Sequence, residues 1–309
     1  MKKTPKIKVV GIGGSGGNAV SRMAQCDIKG VDLVAINTDF EDLNNTTADK
    51  KIRIGKELTE GLGTGMNPDT AARAVEENRE EIEKELKDSD MVFLTCGLGG
   101  GTGTGALPAV AEIAKSCGAL TIAVVTTPFT FEGKEREKIA KKGMDSVRDK
   151  VDTFIPISNN RLLDTLSPNV TLSDAFWYCD EILRQAVQGI SDLIILPGII
   201  NIDFADVKAI MSNSGSALFG KGKAKGKHRA EEAVLAALDL PLVDVSCKNA
   251  KGVLFNVSGG DDLSLSEVNE IADVIKKHIS PNASIIFGAV EDEDLQEEEI
   301  SVTVIATGF

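Results

Sequence analysis

The run Gly99-Gly100-Gly101-Thr102-Gly103-Thr104-Gly105 places five glycines and two threonines in seven positions, a backbone whose amides can turn toward an anion. That composition suits a polyphosphate. The run follows Met91-Val92-Phe93-Leu94-Thr95-Cys96, an apolar stretch of strand length, and precedes residues 106–115, which read as a helix. A glycine loop where strand hands over to helix sets phosphates on a helix N-terminus at the carboxyl edge of a parallel sheet. Its spacing holds neither the Gly-Lys-Ser/Thr of a Walker loop nor a simple Gly-x-Gly-x-x-Gly, so an ordinary kinase or dehydrogenase is not indicated.

Four further stretches stand in order along the chain: Gly13-Gly14-Ser15-Gly16-Gly17-Asn18-Ala19, Asn37-Thr38-Asp39, Pro128-Phe129-Thr130-Phe131-Glu132-Gly133-Lys134-Glu135-Arg136 and Asn201-Ile202-Asp203-Phe204-Ala205-Asp206. With the first glycine run they resemble, in order and separation, the signature segments of the tubulin/FtsZ superfamily of polymerising GTPases, and within it the FtsZ family of bacterial cell-division proteins. The resemblance covers essentially all 309 residues.

It implies that Gly13, Gly14, Ser15, Gly16 and Asn18, together with Gly99, Gly100, Gly101, Thr102, Gly103, Thr104 and Gly105, hold the phosphates of GTP or GDP. Pro128 belongs to the same site, Glu132 and Arg136 take the ribose, and Asn159 makes a polar contact to the nucleotide. Phe176 stacks on guanine, and Asp180 accepts from its N1 and exocyclic amine; adenine presents an acceptor at N1 instead. Asn201, Asp203 and Asp206 lie on the opposite face and reach the γ-phosphate of the next subunit, where the two carboxylates polarise the attacking water. Mg²⁺ is the expected ion, bridging phosphate oxygens with few protein ligands. Head-to-tail self-association is heterologous and generates a filament. Adaptor proteins of the division machinery are the other expected partners, at a mid-cell ring in the cytoplasm. Two departures stand out: Ser15 where glycine is usual, and Ser158-Asn159-Asn160-Arg161 where Pro-Asn-Asp-Lys is common.

Plainer readings exist for each group. The loop at Gly13 alone is a weak dinucleotide match. Glu132 and Arg136 could form an exposed helix pair worth ~0.3 kcal/mol. Phe176 could be a core residue. Asp203 and Asp206 could cap a helix and fill its first turn, for ~1 kcal/mol.

Composition narrows the field. With 34 basic and 47 acidic residues the net charge is -13, which argues against nucleic acid or anionic lipid as a primary partner. Five scattered cysteines (26, 96, 117, 179, 247) without Cys-x-x-Cys spacing fit a reducing compartment. His228 and His278 alone cannot build a zinc site or a Ser/His/Asp triad. No apolar run reaches membrane-spanning length, and no signal-peptide core follows the basic N-terminus. The chain is therefore expected to be cytoplasmic. It ends where the resemblance places the end of the globular core, with the family's linker and C-terminal peptide outside it.

The elements that must position these residues follow from periodicity. Strands at 6–12, 31–37, 91–96, 120–126 and 153–157 alternate with helices at 18–25, 68–87, 106–115 and 134–150, as in a parallel sheet covered on both faces. Residues 172–196 carry apolar positions three and four apart and predict one long helix, stopped by Pro197-Gly198. Beyond it, helices at 203–212, 230–239 and 266–279 separate strands at 216–223, 252–258, 284–288 and 300–307. The expected architecture is α/β: a Rossmann-like nucleotide-binding domain over 1–171, a central helix over 172–197 and a smaller α/β domain with a mixed sheet over 198–309. Lys221, Lys223, Lys225, Lys227 and Arg229 read as a solvated basic strand edge, and the acidic residues 291–299 as a solvated loop or hairpin turn. The function expected is an assembly-dependent GTPase. The alternatives are a structural polymer of the same family with weak turnover and, remotely, a dinucleotide-dependent oxidoreductase.

Overall fold

The computed structural model describes residues 4–167, 169–239, 247–292 and 295–309. The chain divides into two compact units, Met1–Gln188 and Gly189–Phe309.

The first unit is built on six parallel strands: β1 (Ile7–Ile12), β2 (Val31–Asn37), β3 (Lys50–Arg53), β4 (Met91–Gly97), β5 (Leu120–Thr127) and β6 (Thr153–Ser158), in the order β3-β2-β1-β4-β5-β6. Residues 91–96 of β4 and 120–126 of β5 are buried throughout, because helices cover both faces and leave no solvent side. Each large apolar side chain so buried contributes about 1.5–3 kcal/mol. The helices are α1 (Gly13–Gln25), α2 (Phe40–Asn45), α3 (Lys56–Thr59), α4 (Pro68–Glu77), α5 (Arg79–Leu86), α6 (Thr102–Ser116), α7 (Lys134–Val147), α8 (Asn159–Thr165) and α9 (Leu172–Ile195), whose last residues enter the second unit.

Three expectations change here. The single helix predicted over 68–87 is two, broken at Asn78 (φ -115, ψ 20), whose side-chain oxygen accepts the Gly55 amide at 3.0 Å. A tertiary hydrogen bond overrides good local helix propensity there. The helices expected from 18 and 106 begin at Gly13 and Thr102, so glycines read as loop occupy first turns.

The second unit holds α10 (Phe204–Met211), β7 (Gly215–Lys225), α11 (Arg229–Leu238), β8 (Gly252–Gly259), α12 (Leu265–His278), β9 (Ser284–Glu291) and β10 (Glu299–Thr307). Its strands run β7-β10-β8-β9, antiparallel on either side of β10 and parallel between β8 and β9. Because β10 pairs with β8 and not with β9, the acidic connection 291–299 crosses the end of β8 and is not a hairpin; its residues 293 and 294 lie outside the described ones.

The basic stretch is also not uniform. Lys223 approaches Glu299 (3.5 Å) and Lys225 donates to Gln296 (3.1 Å) on one face of β7, while an ideal Cβ on Gly222 would come 2.1 Å from the Ala233 carbonyl of α11 on the other. Arg229 leaves the solvated series altogether, with 5% of its surface exposed and its guanidinium bonded to Asp262 and Glu267.

Candidate active site

The order β3-β2-β1-β4-β5-β6 reverses its direction of growth between β1 and β4, and a crevice opens there beyond the carboxyl ends of the strands. Both glycine runs leave from it, one after β1 and one after β4. They abut: Gly13 takes φ +73, and an ideal Cβ on it would stand 3.0 Å from the Gly103 amide. Neither helix that starts here is capped. Ile12 precedes α1 and Gly101 precedes α6, without a side-chain cap and without an acidic residue in the first turn. Elsewhere Asp39 caps α2, Asn67 caps α4 and Ser264 caps α12. Two sets of orphan amides and two positive dipole ends therefore face one cavity of about 650 Å³.

The cavity is lined by Gly13, Gly14, Ser15 and Asn18 of α1, by Gly100, Gly101, Thr102 and Gly103, by Pro128, Glu132 and Arg136, by Asn159 at the start of α8, and by Phe176 and Asp180 of α9. Ser15 fits because its neighbour is Gly97, where a Cβ would sit 2.7 Å from the serine Oγ.

Gly16, Gly99, Thr104 and Gly105 stand behind the lining. A Cβ on Gly16 would meet the Thr95 carbonyl at 2.5 Å. Gly99 (φ +103) gives its amide to the Thr104 hydroxyl at 2.9 Å. The Gly105 amide closes on the Gly101 carbonyl, and its Cα packs where a Cβ would lie 1.9 Å from the Pro68 carbonyl. These four shape the cradle from within. Asn201, Asp203 and Asp206 belong to the second unit and are exposed.

Glu132 and Arg136 pair at 2.6 Å but not as an exposed helix pair: Glu132 ends a 3-10 turn (Thr130–Glu132), Gly133 (φ +98) intervenes, and α7 begins at Lys134. The other Glu132 oxygen accepts the Phe129 amide at 2.9 Å. The Phe176 ring is 41% exposed, edge-on to Phe129 at 5.4 Å, so it is not a core residue. Asn159 is buried, and its side-chain oxygen finds no partner in the protein. An orphaned acceptor of this kind costs about 1–3 kcal/mol unless a ligand supplies a donor.

Burial raises the Asp180 carboxyl to about 7, against the opposing charge of Arg22. If Asp180 accepts two N–H groups from guanine, as the resemblance implies, it must do so as the carboxylate, and the protein then releases a proton on binding. Guanine affinity is expected to rise with pH up to about 7 and to level off above it. Titration with GDP between pH 5.5 and 8.5 checks this, with Asp180→Asn flat over the same range.

Sequence reading gave no site role to part of the wall, although it singled out the stretch Asn37-Thr38-Asp39. Residues 62–66, Asn37, Asp39, Asp42, Thr126, Thr127 and Cys179 also line the cavity. The signal was the alternation Gly61-Leu62-Gly63-Thr64-Gly65, since Glu60, Gly61, Gly63, Gly65 and Met66 all have positive φ. Asp39, which an oxidoreductase would turn to a ribose, caps α2 by accepting the Asp42 amide at 3.0 Å. The Thr38 hydroxyl bonds that of Thr102 at 2.7 Å and ties this wall to α6.

Residues 6–167 match the family model described as the Tubulin/FtsZ family, GTPase domain, and residues 215–309 match that of the FtsZ family, C-terminal domain. An empty FtsZ dimer from M. jannaschii is 49% identical, with a TM-score of 0.94 over 100% of this chain and 89% of that one. A mutant of M. jannaschii FtsZ gives 49% and 0.93, over 99% and 91%. CetZ2 from Haloferax volcanii, solved as a GTPγS-bound protofilament, shares the fold at 20% identity (TM-score 0.83, 97% and 92% covered). The cavity at the strand-order reversal, the uncapped helices around it and these matches agree: the chain belongs to the tubulin/FtsZ family, and within it to the FtsZ family, carrying the guanine-nucleotide-binding GTPase domain.

Proposed function

We propose that the chain assembles head-to-tail and hydrolyses GTP between subunits, the cavity of one subunit being completed by Asp203 and Asp206 of the next, with Asn201 ordering the loop that presents them. The observation that carries the reading is Asp206, an exposed carboxylate outside the cavity, set against the carboxylates that line it. Inside the cavity, Asp39 caps α2, Asp42 accepts from Asn37 at 2.7 Å, Glu132 is tied to Arg136, and Asp180 is assigned in this reading to the base. Each has another task. Outside the cavity, Asp206 stands exposed in the first turn of α10, and Asp203 is exposed at the N-cap position of the same helix. Asn201 exchanges two hydrogen bonds with Gly198, at 2.8 and 3.1 Å, and Ile199 beside it is 64% exposed. Self-association is supported by the dimer known for the 49% identical FtsZ.

In this reading the amides of α1 and α6 hold the phosphates, the Glu132–Arg136 pair takes the ribose, and Phe176 and Asp180 select guanine. Asp206 and Asp203 orient a water and accept its proton. The lining carries four carboxylates (Asp39, Asp42, Glu132, Asp180) against one cation, Arg136, so an added cation suits a triphosphate there. Among the described residues no cluster of three or more His, Cys, Asp or Glu could cage a metal. Mg²⁺ would there supply charge neutralisation at the phosphates. A role in cell division at a mid-cell ring, with adaptor proteins, follows from the same family reading.

The test is GTP turnover against protein concentration with light scattering in parallel. Specific activity is expected to rise at the concentration where scattering appears. Turnover per molecule that stays flat through assembly overturns the shared site, and assembly with negligible turnover replaces it with a structural polymer. Chelating divalent cations is expected to stop turnover, measured as phosphate release before and after adding back Mg²⁺.

A further inference from the structure

We propose that Arg22 of α1 is a positioning residue for guanine recognition: it ties Glu181 and stacks on Trp177, and so fixes where Asp180 stands on α9. The inference rests on the reading of Asp180 as the acceptor for guanine.

The geometry is a clamp between two helices of the first unit. Arg22 Nε donates to Glu181 Oε2 at 2.8 Å with the two side chains only 17% and 12% exposed, and the guanidinium lies 3.7 Å from the centre of the Trp177 ring. Trp177 and Glu181 are four apart, hence neighbours on one side of α9, and Asp180 adjoins them. Burial alone would raise the Glu181 carboxyl; bonds from Arg184 (Nε, 2.9 Å), Gln185 (2.9 Å) and Arg22 overcome that and hold it at about 2. The anchor thus stays ionised across the physiological range. A charge-assisted bond and a cation-π contact from one guanidinium leave α9 little freedom to roll.

Arg22 also faces Asp180 electrostatically, and its charge favours the carboxylate over the acid. The other charged groups nearby do not replace it. Glu181 and Arg184 pair on Asp180's own helix, and Glu132 and Arg136 pair on the opposite wall. Asp39 and Asp42 of the same cavity add negative charge. The N-terminal amides of α1 meet the phosphates while its last turn carries Arg22, so one helix sets both ends of the ligand.

The experiment compares wild type, Arg22→Met, Arg22→Lys and Asp180→Asn in binding GDP and IDP, which lacks the exocyclic amine, at pH 6, 7 and 8. Trp177 is the chain's single tryptophan and reads the clamp directly by its emission. GDP is used below any assembly concentration, so failure of the shared-site reading leaves the result untouched. Arg22→Met is expected to lose about tenfold in GDP affinity at pH 7, most of the GDP over IDP preference, and the wild-type pH midpoint, which moves up. Trp177 emission changes with it. Arg22→Lys is expected to keep the midpoint but lose part of the preference, since an ammonium neither forks nor stacks like a guanidinium. A GDP:IDP ratio and midpoint unchanged in Arg22→Met overturn the proposal. If that variant does not fold, an unchanged ratio in Arg22→Lys does the same. An unchanged ratio in Asp180→Asn removes its premise and overturns it too.

Discussion

Asp206→Ala is expected to lower GTP turnover at least about 100-fold, the scale of losing a general base or a positioned electrostatic group, while nucleotide affinity stays within about twofold. The reasoning is local. Asp206 is exposed in the first turn of α10, where a carboxylate favours the helix by no more than about 1 kcal/mol. The helix holds without it through buried Val207, Ile210 and Met211. The cavity is lined by residues 12–180, so its affinity for nucleotide has no reason to depend on residue 206. The variant should therefore fold, bind and assemble, and light scattering should persist longer because the nucleotide is not consumed. Phosphate release, scattering and GDP binding on one preparation separate the cases. Normal turnover in Asp206→Ala reduces the residue to a helix-terminal charge.

Arg229→Met is expected to destabilise the second unit by about 3 kcal/mol, near the lower end for breaking a buried ion pair, because Asp262 and Glu267 keep 37% and 20% of their side-chain surface in water. For a unit of this size that is a fall in melting temperature on the order of 10 °C. Arg229 opens α11, where a basic residue opposes the helix dipole, so its place there must come from its partners. Nε and Nη2 fork onto Glu267 at 2.6 and 3.2 Å, and Nη1 and Nη2 reach the Asp262 carboxylate and carbonyl at 2.7 and 3.3 Å. Glu267 in turn closes the capping box of α12 with Ser264. One guanidinium thus joins α11, α12 and the loop that leads into α12.

The pH dependence checks the cause. Burial alone would raise Glu267, but bonds from Arg229 and Ser264 hold it at about 2. A depressed acid contributes stability above its unfolded pKa of 4.5 and loses it as pH falls through about 2. The gap in melting temperature between wild type and Arg229→Met should be full at pH 7 and narrow between pH 4.5 and 2. A gap that is constant across this range would mean that lost packing, not lost charge, is responsible.

The amino-acid sequence by itself determined the family and the approximate frame of the fold. Glycine runs at strand-to-helix junctions, buried apolar strands and the three-and-four spacing along α9 are local signals with local causes, so both glycine loops, the parallel sheet and the long helix that carries Phe176 and Asp180 were legible. Tertiary structure decided what depends on partners distant in the chain. Gly99, Thr104 and Gly105 look like their neighbours in sequence, yet Pro68 and the Gly99–Thr104 bond turn them to the back of the cradle. Asn78 breaks a helix because Gly55 is there to bond, and residues 62–66 become a wall because Asp39 pairs with Leu62 across the cavity edge. Arg229 reads as the last of a row of solvated cations until Asp262 and Glu267, 33 and 38 residues away, enclose it. Periodicity reports which face of an element is buried; it carries no information about which residue waits there.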